Sequence, residues 1–306
     1  WIWRVSHTIG KGLNMQRLLL IGKNGQLGWE LQRTLATLGE VVALDYPEID
    51  LAKPESLSEM IRAVSPQIIV NAAAYTNVDK AESEPDLVRT INAIAPAVMA
   101  EEAKQLNAAF IHYSTDYVFD GQKGSLYVET DTPNPLNVYG KTKLAGEQMV
   151  EAVGGSYLIF RTSWVYSLRQ GGFVTKVLQW ARQQETLRIV DDQISNPTWA
   201  RMLAEATAQV IAQGRSEPVG YIRQKAGLYH LAGAGSCSRY EWAKSILELD
   251  PKKEEQIVKE LLPAKSSEFS TPATRPLQTE LSIRNFQKTF GLVFPQWKAS
   301  LRQLME

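Results

Sequence analysis

Gly22-Lys-Asn-Gly25-Gln-Leu-Gly28 is the stretch of sequence that decides the fold. It follows a short apolar run, 17–21, and overlaps the start of a segment, 26–38, whose leucines recur every three or four residues. The first pattern predicts a strand and the second a helix. Glycines at such a junction permit a tight turn, and the helix N-terminus offers free N–H groups to a phosphate. The stretch therefore predicts a dinucleotide site, although glycines alone also mark ordinary turns.

Strand-like runs and helical patterns alternate as far as residue 160. The strand-like runs are 41–44, 68–73, 109–113 and 157–160, and the helical patterns are 56–64, 87–106 and 138–153. Such alternation predicts a parallel sheet with helices on both faces. Burial on both faces explains why the strand-like runs are continuously apolar rather than alternating in polarity. The predicted fold class is α/β, a Rossmann-like doubly wound parallel sheet.

The pattern loosens after about residue 165. Helical patterns and one strand-like run follow, separated by prolines: 173–184, 201–211, 229–231, 240–249 and 299–305. We expect residues 15–165 to form mainly the dinucleotide-binding domain. Residues 166–306 should form mainly a smaller C-terminal α/β substrate-binding part, with some elements returning to the main sheet. Residues 1–14 are interpreted as an extension outside the fold, because Met15 directly precedes the first strand-like run.

Composition excludes several classes of function. Thirty-three basic and 33 acidic residues give a net charge of zero, which leaves no global field for nucleic acid or an anionic membrane. The single cysteine, Cys237, excludes an internal disulfide and a cysteine-based zinc site, and it fits a reducing cytoplasm. The three histidines lack metal-ligand spacing. The longest apolar run, 93–100, is far shorter than the roughly 20 residues that a membrane span needs.

An acidic residue follows the second strand-like run. Asp45 lies twenty residues after Gly25, where a carboxylate often binds the adenosine ribose. A carboxylate there favours NADH and disfavours the 2′-phosphate of NADPH. A surface turn or helix cap is an equally good interpretation of this aspartate alone. Asp50 and Leu51 would form the wall of an adenine pocket, or else an ordinary turn.

Tyr139 and Lys143 lie four residues apart at the start of a predicted helix, so they share one face of it. A phenol with a pKa near 10 is a poor acid unless it is tuned, and an ammonium nearby favours the phenolate. This spacing also occurs by chance on exposed helices. Thr115 follows the run 109–113, and ligands of parallel sheets bind beyond such carboxyl ends. Its hydroxyl would bond a substrate carbonyl beside the phenol, whereas alone it would be interpreted as a cap or turn hydroxyl.

Together these motifs resemble the extended short-chain dehydrogenase/reductases, and within them the family of dTDP-4-dehydrorhamnose reductases. The resemblance runs from about residue 16 to the C-terminus. Two long motifs show the resemblance: Asn71-Ala-Ala-Ala-Tyr-Thr-Asn-Val-Asp-Lys-Ala-Glu82 and Pro135-Leu-Asn-Val-Tyr-Gly-Lys-Thr-Lys-Leu-Ala-Gly-Glu147. Shorter segments that also match the family are 22–28, 114–121, 160–166, 192–193, 197–198 and 275–276. The resemblance implies NAD(P)H-dependent reduction of the 4-keto group of dTDP-4-dehydro-β-L-rhamnose to dTDP-L-rhamnose, the last step of dTDP-rhamnose biosynthesis.

The resemblance also implies residue roles. Tyr139 would donate the proton, Lys143 would hold the cofactor ribose and lower the pKa of Tyr139, and Thr115 would position the carbonyl. Cofactor contacts are expected, with the glycine turn included, at Gly22, Gly25, Gln26, Leu27, Gly28, Asp45, Asp50, Leu51, Ala74, Tyr75, Thr76, Tyr139 and Lys143. Substrate contacts are expected at Thr115, Asp116 and Trp164. Arg275 would pair with the substrate diphosphate or with a nearby carboxylate. Family members use NADPH or NADH, so Asp45 does not decide the preference.

The sequence departs from the family pattern at two places. Residues 194–199 lack the glycine expected before Pro197, which would reshape the sugar pocket or the hinge of the cleft. Some relatives dimerise through a metal held by acidic residues. Glu30 fits one such position, but Arg201 stands where another acid is expected. Mg²⁺ is therefore not supported, no metal site is predicted, and the chain is expected to be a monomer or a homodimer.

Two alternatives to the reductase stay open. The same scaffold serves nucleotide-sugar epimerases and dehydratases, which need an additional acid/base pair near Thr115, and Asp116 could supply one member. The second alternative is a non-catalytic regulatory subunit that binds cofactor and a partner protein. Loss of Thr115, Tyr139 or Lys143 would support that alternative, but all three residues are present.

Overall fold

A computed structural model describes residues 16–169, 171–214 and 216–306, so the predicted extension 1–14 lies outside the described residues. The strands are β1 (Gln16–Ile21), β2 (Gly39–Leu44), β3 (Ile68–Asn71), β4 (Ala109–Thr115), β5 (Ser156–Thr162), β6 (Val165–Tyr166), β7 (Thr186–Val190), β8 (Ile194–Ser195), β9 (Thr198–Trp199), β10 (Gly227–His230), β11 (Cys237–Ser238) and β12 (Glu260–Ala264).

The helices are α1 (Gln26–Leu35), α2 (Pro54–Val64), α3 (Val78–Ala81), α4 (Pro85–Arg89), α5 (Ala95–Gln105), α6 (Val138–Val153), α7 (Phe173–Ala181), α8 (Ala200–Gln213), α9 (Pro218–Gln224), α10 (Arg239–Leu249), α11 (Arg284–Phe290) and α12 (Trp297–Met305). A π-helical turn, Thr90–Ile94, joins α4 to α5. Three short 3₁₀ turns are Asp116–Val118, Lys253–Glu255 and Ser266–Glu268.

Six parallel strands form the central sheet in the order β10-β5-β4-β3-β1-β2. The strand order reverses between β1 and β3, because β2 lies on one side of β1 and β3 on the other. Ligands of open α/β sheets bind beyond the carboxyl ends of the strands at such a switch point. The predicted Rossmann-like α/β class is confirmed, and the topology places the binding crevice beside the glycine turn.

Strand β1 explains the two-sided core. Leu18 and Leu20 belong to an apolar cluster under α1, α8, α9 and α11, whereas Leu19 and Ile21 belong to a second cluster under α2, α5 and α6. All four side chains are fully buried. Successive side chains of a strand point to opposite faces, so a strand covered on both sides must be apolar throughout.

A third apolar cluster lies outside the main sheet. Trp242 of α10 is buried at its centre, with residues of α7, α12 and the small parallel pair β7–β12 packed around it. The chain after residue 165 also contributes to the main sheet, because β10 pairs with β5 and α8 packs on α1. The late elements therefore build one wall of the crevice and cover one edge of the sheet.

The structure differs from the sequence predictions chiefly at the ends of elements. The helix predicted over 26–38 ends at Leu35, and the strand predicted over 68–73 ends at Asn71. Residues 72 and 73 instead enter the loop beside the glycine turn. The two-residue strands β6, β8, β9 and β11 were not predicted, because a bridge of two residues has no periodicity for a sequence pattern to show.

Candidate active site

The glycine turn forms a cradle at the carboxyl end of β1. Gly22 has φ +93°, and a Cβ there would lie 2.7 Å from the backbone nitrogen of Ala73, so a side chain does not fit. A Cβ at Gly28 would collide with the carbonyl oxygen of Gly22, so this glycine lets α1 pack against the turn. Gly25 precedes α1 without a side-chain cap, and the first helical turn holds no acidic residue. The free N–H groups of the helix start therefore fit a pyrophosphate.

A cleft of about 500 Å³ opens at this turn. It is lined by many of the residues that the sequence predicted as cofactor contacts, namely Gly22, Gly25, Gln26, Leu27, Asp45, Ala74, Thr76, Tyr139 and Lys143. Val165 and Gly172 line it from the C-terminal part of the chain. The cleft thus joins the turn, the ends of the central strands and the start of α6, which suits an extended dinucleotide.

Asp45 makes the turn contacts considered from the sequence, and its contact with a ribose stays a prediction. It lines the cleft, and it also ties the end of β2 to the glycine turn. Its carboxylate accepts hydrogen bonds from the backbone N–H groups of Asn24, at 2.9 Å, and Tyr46, at 2.8 Å. The negative charge therefore stays fixed beside the cleft.

Besides Gly28, which packs α1 against the turn, three predicted cofactor contacts lie away from the lining of the cleft. Asp50 accepts a hydrogen bond from the backbone of Ala52 at 3.0 Å, which is the ordinary turn considered as its alternative. Leu51 packs against the apolar cluster of α2 and α5. The Tyr75 hydroxyl donates to Glu84 at 2.7 Å. In the structure these three side chains do not form part of the surface of the cleft.

Asn92 is a residue that the sequence analysis missed. It is fully buried in the π-helical turn Thr90–Ile94. Its amide accepts a hydrogen bond from the backbone N–H of Tyr75 at 2.8 Å and donates to the Tyr75 carbonyl at 3.1 Å. It thereby fixes the loop that carries Ala74 and Thr76. Such π turns inside helices are frequent at functional sites, and the one available signal was an asparagine within an otherwise apolar helical pattern.

Tyr139 and Thr115 lie close together at the carboxyl end of β4, where the Thr115 side chain acts on the Tyr139 hydroxyl. Asn137 fixes the start of α6, because its side chain accepts a hydrogen bond from the backbone of Gly140 at 2.8 Å. Burial raises the pKa of Tyr139 above its usual value, and the bond to Thr115 offsets part of this. Tyr139 is therefore a neutral phenol at pH 7, which is the form that can donate a proton.

The hydrogen-bond partners of Lys143 differ from those that the sequence led us to expect. Its side chain is buried, and Nζ donates to the carbonyl oxygen of Tyr113 at 2.7 Å and lies 3.1 Å from Nε2 of His112. The ammonium is therefore not directed at the Tyr139 phenol, and it does not lower the pKa of that phenol as expected. Burial lowers the pKa of Lys143 itself to about 8, against the opposing charge of Glu147.

Asn71 and His112 complete this buried contact, and sequence reasoning missed both. They lie opposite each other in β3 and β4, and the Asn71 amide nitrogen is 3.2 Å from Nδ1 of His112. Burial and the nearby Lys143 hold the pKa of His112 well below its usual value, so the imidazole is neutral. Polar residues within otherwise apolar runs were the signal that could have identified them.

Asp116 is 2% exposed and lies next to Thr115, and its contact with the sugar stays a prediction. Its carboxylate accepts hydrogen bonds from the hydroxyls of Thr115 at 3.2 Å, Ser195 at 3.0 Å and Thr279 at 2.5 Å. Burial raises the pKa of Asp116 to about 6, although the hydroxyls oppose this. The Thr115 oxygen in turn accepts a hydrogen bond from the backbone N–H of Tyr117 at 3.1 Å, so the hydroxyl is held in place at the end of β4.

Trp164 and Arg275 are the two remaining predicted substrate contacts. Trp164 follows β5 with φ +40°, a strained backbone conformation of the kind that accumulates at functional sites. The Arg239 guanidinium lies 3.6 Å from the centre of its ring. Arg275 forms two hydrogen bonds with the carboxylate of Asp79, at 3.0 and 2.6 Å. Of the two roles considered for Arg275, the structure shows the ion pair with a carboxylate.

Of the two positions considered for a metal, position 30 carries an acid and position 201 an arginine. Arg201 pairs with Glu205 at 2.8 Å, and Glu30 lies close enough to contribute to the raised pKa of Arg201. Within residues 16–169, 171–214 and 216–306, no cluster of three or more His, Cys, Asp or Glu side chains could hold a metal ion. No helix in the described part of the chain has the length and apolar character to cross a membrane.

Sequence comparisons agree with this geometry. The family model described as "RmlD substrate binding domain" matches residues 15–306. The dTDP-4-dehydrorhamnose reductase of Escherichia coli K12 is 42% identical over 293 residues, which cover 94% of this chain and 96% of that protein. The dTDP-4-dehydrorhamnose reductase of Burkholderia thailandensis is 41% identical over 286 residues, which cover 92% and 95%.

Solved structures are similar over nearly the whole chain. A dTDP-4-dehydrorhamnose reductase from Clostridium acetobutylicum superposes with a TM-score of 0.85 at 34% identity, covering 94% of this chain and 98% of that one. The dTDP-4-dehydrorhamnose reductase of Bacillus anthracis, crystallised with NADP, gives 0.83 at 32% identity, covering 95% and 98%. With the matched family model and the relatives above, these similarities show that the chain belongs to the dTDP-4-dehydrorhamnose reductase family.

Proposed function

We propose that this protein reduces the 4-keto group of dTDP-4-dehydro-β-L-rhamnose to dTDP-L-rhamnose with NADPH or NADH. The observation that carries the proposal is the meeting of Tyr139 and Thr115 beside the glycine-turn cleft, with Lys143 buried on the same helix. A neutral phenol beside a dinucleotide cleft suits the addition of a proton to a carbonyl oxygen. The NADP in the Bacillus anthracis relative and the reductase names of the relatives support the same reaction.

The residues of this chain divide the chemistry between them. A bound reduced nicotinamide supplies the hydride to the keto carbon. Tyr139 donates its phenol proton to the keto oxygen, so the ketone gains one hydride and one proton and becomes an alcohol. Thr115 positions the Tyr139 phenol beside the keto oxygen, and Asp116 orients Thr115 by accepting the hydrogen bond from its hydroxyl. General acid catalysis of this kind typically contributes about 10²–10⁴-fold to the rate.

Lys143 and the glycine turn bind rather than react. The N–H groups at the start of α1 would hold the pyrophosphate, and Lys143 lines the same cleft at the position where a ribose would lie next to Tyr139. In this proposal residues 15–165 mainly bind the cofactor, and residues 166–306 mainly bind the dTDP-sugar. We place the enzyme in the cytoplasm, since reduced cofactor and sugar nucleotides are available there. We expect it to be a monomer or a homodimer.

The epimerase and dehydratase alternative requires an exposed acid/base group next to Thr115. Asp116 is the candidate, but its carboxylate accepts hydrogen bonds from the hydroxyls of Thr115, Ser195 and Thr279. A carboxylate so occupied does not reach a substrate carbon. The regulatory-subunit alternative predicts a disrupted site, and the contact between Tyr139 and Thr115 weighs against it.

The test is the loss of absorbance at the reduced-nicotinamide band with dTDP-4-dehydrorhamnose as substrate. We expect one NADPH or NADH consumed for each keto sugar reduced, and dTDP-rhamnose as the product. A dehydratase or epimerase would convert the sugar without net consumption of cofactor. No turnover with either cofactor, together with stable co-purification of another enzyme, would support the regulatory subunit instead.

A further inference from the structure

Arg239 occupies an aromatic setting next to the proposed site. It is the first residue of α10, and its guanidinium carbon lies 3.6 Å from the ring centre of Trp164. The rings of Phe173, at 4.9 Å, and Trp242, at 5.4 Å, are also close to it. A planar guanidinium stacked on an aromatic ring is held in a fixed orientation while its N–H groups remain available to an acceptor.

The Arg239 guanidinium has no hydrogen-bond or ion-pair partner in the described part of the chain. Other arginines of the molecule differ: Arg161 makes two hydrogen bonds with Glu147, and Arg275 makes two with Asp79. Arg239 is only half-buried, so part of its guanidinium remains open to a bound anion. Desolvation lowers the pKa of Arg239 to about 10, which leaves it charged at neutral pH.

The carboxylate that acts on Arg239 forms no ion pair with it. Asp116 and Tyr117 are the groups whose charges act most strongly on Arg239, but the Asp116 carboxylate accepts hydrogen bonds from three hydroxyls instead. The Tyr117 ring in turn contacts the Tyr139 ring edge-on, at 5.8 Å. Arg239 is thus an unpaired cation that lies next to the residues surrounding the proposed proton donor.

We propose that Arg239 binds the diphosphate of the sugar nucleotide, while Trp164 holds the guanidinium plane in place. The inference rests on the proposed function, because it takes a sugar nucleotide as the substrate. In a pyranose the C4 atom lies across the ring from the anomeric carbon, which carries the diphosphate. A sugar with C4 at Tyr139 would therefore place its diphosphate about one ring away. A guanidinium binds phosphate oxygens through two parallel N–H bonds, which an ammonium cannot reproduce.

The experiment measures binding of dTDP, and separately of NADPH, by titration calorimetry to the full chain. We expect Arg239→Gln to weaken dTDP binding at least tenfold and Arg239→Lys to weaken it less. NADPH affinity should stay within twofold in both variants, which also shows that they are folded. The matched control is Arg201→Gln, because Arg201 also lies beside a tryptophan, at 5.7 Å from Trp199, but is paired with Glu205. It should bind dTDP like the wild type.

Unchanged dTDP binding by Arg239→Gln would overturn the proposal and leave the proposed reduction untouched. A wild-type chain that binds NADPH but not dTDP would also overturn it. If the wild-type chain binds dTDP through Arg239 but does not reduce the keto sugar, the proposed reduction is wrong and the proposed role of Arg239 in binding is kept. A further expected result is a smaller salt dependence of dTDP binding in Arg239→Gln, because one charged contact is lost.

Discussion

Nζ of Lys143 lies 3.1 Å from Nε2 of His112, and the hydrogen bonds around this pair determine which atom carries the proton. The amide oxygen of Asn71 accepts from the backbone N–H of Ala73 at 3.1 Å, so the amide nitrogen faces Nδ1 of His112 and donates to it. A neutral imidazole has one N–H, which must then be on Nε2. His112 therefore points a donor at Lys143, and this contact favours the neutral amine over the ammonium.

The first prediction concerns Lys143 and pH. Its pKa is about 8 in the folded protein and 10.5 as a free side chain, so between these values the unfolded chain binds more protons and stability rises with pH. Below pH 8 Lys143 is protonated in both the folded and the unfolded state, so the folded state carries the full free-energy cost of the buried charge. We expect the free energy of unfolding, relative to Lys143→Met, to rise by about 1 kcal/mol per pH unit above pH 8. Urea unfolding of both proteins from pH 7 to 10 measures this.

His112→Leu serves as the companion variant. It removes the donor that faces Lys143, so the pKa of Lys143 should rise and the gain in stability should begin at a higher pH. It should also cost about 1–3 kcal/mol at pH 7, because the buried Asn71 amide loses its partner. A pH dependence identical to that of the wild type would contradict the role of His112 in setting the protonation of Lys143.

The second prediction concerns Tyr139. We expect Tyr139→Phe to lower turnover at least a hundredfold, because the keto oxygen loses its proton donor, while NADPH affinity stays within twofold. Steady-state kinetics and a fluorescence titration measure the two quantities. Tyr229→Phe is the control, because Tyr229 is buried and does not line the cleft. Its hydroxyl donates to the Lys225 carbonyl at 2.8 Å, so this variant should lose about 1 kcal/mol of stability and little activity. Near-normal turnover in Tyr139→Phe would remove this residue from the acid role.

The sheet and the glycine turn could be predicted because local patterns determine them. A continuous apolar run such as residues 18–21 indicates a strand that is buried on both faces. The glycines that follow it indicate a tight turn. The structure confirmed the α/β class, and many of the predicted cofactor contacts line one cleft. These inferences use residues that are close together in the chain.

The polar contacts behind the site could not be predicted, because they join distant residues. Ser195 and Thr279 reach Asp116 from 79 and 163 residues away, and His112 reaches Lys143 across 31. No periodicity records which hydroxyl faces a buried carboxylate. The role of Arg275 depended in the same way on Asp79, 196 residues earlier, which the sequence did not identify as its partner.

The third prediction concerns Asp116. The pKa of Asp116 is about 6 in the folded protein and 3.8 as a free side chain. The buried negative charge therefore lowers the stability most above pH 6, and below pH 3.8 the carboxyl group is neutral in both states and has no such effect. The stability of the wild type relative to Asp116→Asn should therefore increase as the pH falls from 6 to 4, by about 1 kcal/mol per unit. Turnover of the variant at pH 7 should fall at least tenfold, because Thr115 loses the carboxylate that accepts its proton. A stability difference that does not change between pH 4 and 6 would contradict the raised pKa.

The fourth prediction concerns the choice of cofactor. The Asp45 carboxylate lines the cleft and is held by backbone bonds to Asn24 and Tyr46, so it should repel the 2′-phosphate of NADPH. Asp45→Asn removes the charge and keeps one side-chain oxygen, which can accept from one of those two N–H groups. We expect the ratio of kcat/KM for NADPH to that for NADH to rise about tenfold, which corresponds to about 1.4 kcal/mol.

Asp50→Asn provides the comparison for this cofactor experiment. Its carboxylate accepts a hydrogen bond from Ala52 in a turn and does not line the cleft, so the same loss of charge should leave the cofactor ratio within twofold of the wild type. If both variants change the ratio equally, the effect arises from the general negative charge of this region. If neither changes it, the 2′-phosphate does not approach Asp45, and the preference is set by another part of the cleft.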